Sequence, residues 1–131
     1  MTHAIVLLAH GSRDPQWREP VEAVARRIRE LAPERPVRCA YLELATPDLQ
    51  TAAAELVADE GARTLQVLPL FLGMGHHVRE DLPRRVAQLQ ARFPDVPVRL
   101  RPAVGQHAWL LETLTRIALQ DDSTPPGEEQ P

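Results

Sequence analysis

A doubly wound α/β fold is what this sequence predicts: a four-stranded parallel sheet with helices on both faces. Three observations carry the expectation. Short apolar runs alternate with helical periodicities four times along 131 residues, the pattern of repeated strand–helix units. The strongest runs, from Ala4 to Ala9 and from Thr64 to Leu72, show little polar alternation, as strands buried on both faces do. Two of the helical periods open on a cap-and-proline pair, Asp14-Pro15 and Thr46-Pro47, which is how helices following a strand commonly begin.

The elements follow in order. Ala4 to Ala9, AIVLLA, is the first strand and ends at His10-Gly11-Ser12. Asp14 caps a helix with Pro15 in its first turn. Val21, Val24, Ala25, Ile28 and Leu31 recur at helical spacing until Pro33 stops them. Pro36 to Leu42, PVRCAYL, is the second strand and leads to Glu43. Thr46-Pro47 opens a helix carrying Leu49, Ala52, Ala53, Leu56 and Val57, which Gly61 closes. After the third strand, Thr64 to Leu72, a helix from about Val78 to Phe93 carries Leu82, Val86 and Leu89, with Pro83 in its first turns. Val96 to Leu100 is a short fourth strand. Gln106 to Leu119 is a last helix, with Trp109, Leu110, Leu114 and Ile117 available to pack. Right-handed crossovers then give a flavodoxin-like strand order, 2-1-3-4. The α/β domain is expected over residues 1–119, and residues 120–131 as a disordered, acidic, proline-rich tail.

Composition narrows the function. The chain is 44% hydrophobic, globular rather than disordered. No apolar run approaches the roughly 18–20 residues of a membrane span. The start, MTHAIVLLAHGSR, lacks the charged leader of a signal peptide. Cys39 is the only cysteine, so no intrachain disulfide forms and a cytoplasmic location is expected. All fifteen basic residues are arginines, and without the acidic tail the body is nearly neutral. No clustered basic patch suggests a nucleic-acid partner. Separate guanidinium groups can still meet an anionic small molecule bidentately.

The chemistry gathers around Pro69 to Pro83, PLFLGMGHHVREDLP. An apolar strand breaks at Gly73 and Gly75, where backbone conformations and close approaches forbidden to a Cβ are expected. His76 and His77 follow, then Glu80 and Asp81. In sheets of this type ligands bind beyond the carboxyl ends of the strands, near the point where strand order reverses. His10 follows strand one, Glu43 strand two, and the histidine pair strand three. In the order 2-1-3 these strands are neighbours about 4.8 Å apart, so imidazoles and a carboxylate converge on one rim. Adjacent side chains diverge, so at most one of His76 and His77 points inward. Such a set suits iron, cobalt, nickel or zinc. Two or three protein ligands leave metal positions open, as in a catalytic or transfer site. Glu43 could instead act as a base. Cys39 sits mid-strand and reads as a small core residue. His3 and His107 read as surface residues. Arg13, Arg79, Arg84 and Arg85 flank the rim; Arg13 and Arg79 are close enough to meet an acidic substrate. Ala9 before His10 excludes the histidine-phosphatase motif, and the Gly73-Met74-Gly75 turn is too short for a phosphate loop, which also needs a lysine.

With those residues in hand, the chain resembles the small CbiX-type class II chelatases, relatives of the sirohydrochlorin cobaltochelatases and ferrochelatases. The resemblance rests on AHGSRDP (Ala9 to Pro15), YLELATPDL (Tyr41 to Leu49) and PLFLGMGHHVREDLP, and it reaches to about Leu119. It implies a chelatase-like form of the fold above and an ATP-independent lyase without an organic cofactor. Such an enzyme inserts a divalent metal, Co2+ before Fe2+ or Ni2+, into sirohydrochlorin for cobalamin or siroheme synthesis. It implies that His10 and His77 bind the metal, since Gly75-X-His77-Val78 carries the family histidine and His76 takes the variable position. It implies that Glu43 assists metal binding or takes up pyrrole protons. Ser12, Arg13, Gly73, Met74, Gly75, His76 and Arg79 would then contact the macrocycle, whose eight carboxylates call for arginines and backbone N–H groups. Short members are expected to pair as homodimers around the macrocycle. The rival from another class is a non-catalytic divalent-metal carrier using the same histidines.

Overall fold

Four strands, β1 (His3–Ala9), β2 (Val37–Tyr41), β3 (Thr64–Pro69) and β4 (Val98–Leu100), pair in parallel in the order β2-β1-β3-β4, in a computed structural model that describes residues 2–121. The expected strand order is the observed one. Four α-helices connect and follow them: α1 (Glu19–Leu31), α2 (Leu49–Glu60), α3 (His76–Arg92) and α4 (Ala108–Leu119). In β1, Val6 lies opposite Arg38 of β2 and Val67 of β3, so β1 is flanked on both edges and its centre, Val6-Leu7-Leu8, is fully buried.

The pleat sorts the core into two layers, because successive strand side chains point to opposite faces. Ala4, Val6 and Leu8 join Leu65 and Val67 in one layer, packed with Leu49, Ala52, Ala53 and Leu56 of α2 and Leu82, Val86 and Leu89 of α3. Leu7 and Val37 meet Ala25 of α1 on the other face, with Ile5, Val21, Ile28, Cys39 and Leu68 half-buried around them. Cys39 is thus the core-side residue expected, and burial raises its thiol pKa. The second layer is the thinner one: in α1 only Ala25 is buried, while Val24 and Leu31 are exposed.

Several boundaries differ from the sequence expectation. Asp14 does cap, accepting from the Gln16 N–H at 3.0 Å, but it starts a 3-10 turn, Pro15–Arg18, before α1 begins. The second and fourth strands are shorter than Pro36–Leu42 and Val96–Leu100, and β3 stops at Pro69 rather than Leu72, where proline has no N–H to extend the ladder. α2 is capped by Asp48, not Thr46, and Gly61 ends it in the left-handed region at φ 64° as expected. α3 begins at His76 rather than about Val78, which puts both histidines in its first turn and Pro83 inside the helix. His3 is not a free surface residue: it is half-buried in β1, with Nδ1 2.7 Å from the Thr64 hydroxyl. His107 is exposed as expected and caps α4, Nδ1 accepting from the Trp109 N–H at 3.1 Å. The expected packing of α4 is absent, since Trp109, Leu114 and Ile117 are exposed. Of the expected tail, all beyond Asp121 lies outside the described residues.

The Asp48 cap supports a direct prediction. Its carboxylate accepts from the Thr51 N–H at 2.8 Å, and that backbone bond, with the Thr51 hydroxyl second, holds its pKa below the usual carboxylate range. Asp48→Ala is expected to cost about 1 kcal/mol in urea unfolding at neutral pH. A depressed folded-state pKa means the contribution is present above the unfolded carboxylate's value and is lost as pH falls through the folded one. The gap between wild type and variant should therefore close in acid; a gap that stays constant with pH would show the ionised cap contributes nothing.

Candidate functional site

The β1–β2 pairing does not stop where the strands do. The Leu42 N–H donates to the Ala9 carbonyl at 2.9 Å and the Glu43 N–H to the His10 carbonyl at 3.1 Å, so the backbone of Glu43 is fixed beside His10. The chain turns at Gly11, with φ 93°. A Cβ there would lie 1.9 Å from the Glu43 carbonyl oxygen and 3.1 Å from the Tyr41 Cβ. Leu44, next to Glu43, is held at φ 62° without being glycine, a conformation disfavoured for a branched side chain and common where a loop is shaped by function. The exposed His10 ring lies against buried Phe71, centroids 4.4 Å apart and tilted by 36°. Phe71 thus gives the imidazole a fixed apolar shelf.

Beyond β3, the Leu70 N–H donates to the Leu8 carbonyl at 2.8 Å and the loop runs on to Gly75. Neither glycine of this loop is required by its backbone. Gly75 sits at φ −67°, and a Cβ on Gly73 or Gly75 would meet nothing within 4 Å. The close approach is made by Gly105 instead, where a Cβ would fall 1.6 Å from the Leu72 carbonyl oxygen. The Gly105 N–H also donates to the Phe71 carbonyl at 2.9 Å. The start of α3 has no side-chain cap, so N–H groups of its first turn face outward with a positive helix dipole behind them. The adjacent histidines diverge: His76 Nε2 lies 3.2 Å from Glu80 Oε1 along the helix, and the two imidazole centroids are 6.1 Å apart.

His10, Glu43 and His77 all line one cavity of about 460 Å3, together with Asp81, Arg84 and Arg85. Arg85 Nε donates to Asp81 Oδ2 at 2.6 Å. Of the other predicted contact residues, Ser12, Arg13, Gly73, Met74, Gly75, His76 and Arg79 lie outside its walls. The Ser12 hydroxyl accepts from the Asp14 N–H at 3.1 Å, and Met74 is half-buried against the core. The cavity's cations are Arg84 and Arg85, which the sequence reading treated only as flanking charges. Reading the helix from His76 would have found them. His77, Asp81, Arg84 and Arg85 then fall at i, i+4, i+7 and i+8, one helical face.

No three His, Cys, Asp or Glu side chains among the described residues converge closely enough to hold a metal ion; the donors stand around the walls, all three exposed. Glu43 also borders a neighbouring cavity of about 890 Å3, walled in part by Tyr41 and Arg38. Burial, and then the negative partners Cys39 and Glu22, push the Tyr41 phenol up to about 12. It therefore stays protonated at neutral pH, and Glu43 is the carboxylate whose backbone is fixed beside His10.

Residues 4–120 match the model of the CbiX family. Over 81 residues the chain is 36% identical to the sirohydrochlorin cobaltochelatase of Methanopyrus kandleri, a match covering 62% of this chain and 56% of that protein. Over 110 residues it is 28% identical to the chloroplastic sirohydrochlorin ferrochelatase of Arabidopsis thaliana, covering 84% of this chain and 48% of the other. The chain thus spans about half the length of these curated relatives. Among solved structures, the CbiX protein of Marinobacter aquaeolei VT8 is 34% identical and superposes with a TM-score of 0.75, covering 88% of this chain and 93% of that one.

Proposed function

The chain belongs to the CbiX family, and from that premise we propose that it is an ATP-independent chelatase inserting Co2+, or Fe2+ or Ni2+ in its place, into sirohydrochlorin. The observation that carries the reading is the meeting of His10, Glu43 and His77, from three separate segments, in one cavity beyond the strand ends. The substrate metal is held by His10 and His77 on one face of the macrocycle and passes to the pyrrole nitrogens. Two N–H protons must leave as it does so. Glu43 takes them, and a histidine that has released its metal can take one too. Because Glu43 is exposed, it returns those protons to water. The substrate's carboxylates meet Arg84, Arg85 and the N–H groups that open α3, with Ser12, Arg13 and Arg79 reaching them from outside the cavity. The protein works as a cytoplasmic homodimer without nucleic acid or organic cofactor; no helix among the described residues is long and apolar enough to cross a membrane.

An open donor set suits transfer better than storage. A carrier retains its ion by closing the coordination shell, whereas the donors here stand apart on the walls. The test is anaerobic incubation of sirohydrochlorin with each of the three metals, followed by absorbance. Enzyme-dependent product, fastest with one metal and lost in His10→Ala, is the expected result. Metal binding with no acceleration over the uncatalysed reaction, and no shift of the metal-free tetrapyrrole spectrum by the protein, would replace the chelatase with the carrier.

A further inference from the structure

His10 is held from two sides, and on each side the next residue along the chain is an exposed leucine. Leu44 follows Glu43, whose N–H donates to the His10 carbonyl, and is 53% exposed. Leu72 follows Phe71, against which the His10 ring lies, and is 70% exposed. Because β2 and β3 flank β1, the two leucines stand about two strand spacings apart, roughly 10 Å, with His10 between them. A lone exposed leucine is ordinary; the backbone sets this pair apart. Leu44 is the one non-glycine residue at positive φ among the described residues, a conformation that glycine or asparagine adopts with less strain. Leu72 is fixed from the other direction: its carbonyl oxygen lies 1.6 Å from where a Cβ on Gly105 would fall, and the Gly105 N–H holds the Phe71 carbonyl. Strain of this kind clusters at ligand clamps. A bulky apolar side chain kept at φ 62° with half its surface in water contributes little to the folding of the free chain.

We propose that Leu44 and Leu72 are positioning residues that grip the apolar face of the macrocycle on either side of His10. This rests on the chelatase reading above and names the part of the substrate that the cavity's charged groups cannot recognise. A tetrapyrrole carries its carboxylates at the edge and carbon on its faces, so Arg84 and Arg85 suit the edge and leucines suit the face. Two contacts fix the height and tilt of a flat ring only if both are stiff. Here the stiffness comes from the left-handed turn at Leu44 and from the Gly105 contact at Leu72. With the ring supported on both sides, its nitrogens are set over the imidazole between them. Asparagine at position 44 would relax the backbone and lose the contact, so leucine there favours grip over stability, as strained sites in functional loops do. The leucines touch carbon and not metal, and they therefore govern macrocycle affinity while leaving metal affinity alone. Covering a half-exposed leucine corresponds to a gain in affinity of about tenfold.

The test is anaerobic titration of metal-free sirohydrochlorin, followed by absorbance, into the full chain and into Leu44→Asn, Leu72→Asn and the double variant. Co2+ affinity, thermal unfolding and sedimentation equilibrium are measured on each. The expected result is a macrocycle Kd about tenfold higher in each single variant and on the order of a hundredfold higher in the double one. Co2+ affinity should be unchanged, and Leu44→Asn should unfold at or above the wild-type temperature. Leu44→Met and Leu72→Met, which keep the apolar volume, should recover most of the affinity. Wild-type macrocycle affinity in both asparagine variants overturns the clamp and leaves the chelatase reading standing. So does a loss of affinity that appears only together with a lower molar mass, which would assign the leucines to a contact between subunits. A wild-type chain that leaves the metal-free spectrum unchanged overturns the chelatase reading and the clamp with it. The single variants decide the matter even if the double variant fails to fold.

Discussion

His77→Ala is expected to lower catalysed metal insertion by more than ~100-fold, while His76→Ala retains most of it. Changes to residues that merely orient a metal ligand already cost roughly 10–100-fold, and under the proposed function loss of one of the two imidazoles removes a ligand outright. The contrast between the neighbours follows from the first turn of α3. Consecutive helical side chains diverge by about 100°. His76 is turned along the helix to Glu80 at 3.2 Å, whereas His77 lines the cavity shared with His10 and Glu43. The measurement is initial rate against metal concentration for wild type and both variants, with far-UV circular dichroism to confirm folding. Equal loss in the two variants would mean that the pair acts as a unit. Loss in His76→Ala alone would assign the metal to the wrong imidazole.

The path of the chain was legible because strands and helices here are set by local patterns. Unalternating runs gave strands flanked on both sides, and the connections between them left only one sensible order. That order placed His10, Glu43 and His77 on one rim, and in the structure all three line one cavity. What escaped is non-local. Gly73 and Gly75 drew attention by their company, yet both have open space around them. Gly11 and Gly105, which do have a packing reason, owe it to carbonyls of Glu43 and Leu72, some thirty residues away in sequence. The start of α3 was misjudged because histidines are indifferent helix formers and Gly75 lacks a capping side chain. The apolar face of α4 was legible, but periodicity shows only that a surface is to be covered and not by which chain.

Gly11 is where these long-range constraints meet the site, and Gly11→Ala carries the second large effect. The substitution places a methyl group 1.9 Å from the Glu43 carbonyl oxygen at a φ of 93°. Backbone, unlike the end of a flexible side chain, cannot swing aside. Relief requires the Glu43 segment to move off, which stretches the 3.1 Å hydrogen bond from its N–H to the His10 carbonyl. Strain at such a φ costs of order 1–3 kcal/mol and overpacking adds a similar amount. About 3 kcal/mol of destabilisation, a fall of roughly 10 °C in Tm, is therefore expected. Insertion activity should fall as well at temperatures where the variant is still folded, because His10 and Glu43 lose their fixed spacing. Gly73→Ala is the control: its Cβ meets nothing within 4 Å, so its stability should stay within about 0.5 kcal/mol of wild type. If thermal unfolding and rate in Gly11→Ala match those of Gly73→Ala, the β1–β2 turn does not hold the two residues together. The cavity's geometry would then have to be maintained from the α3 side, through His77 and the Phe71 shelf.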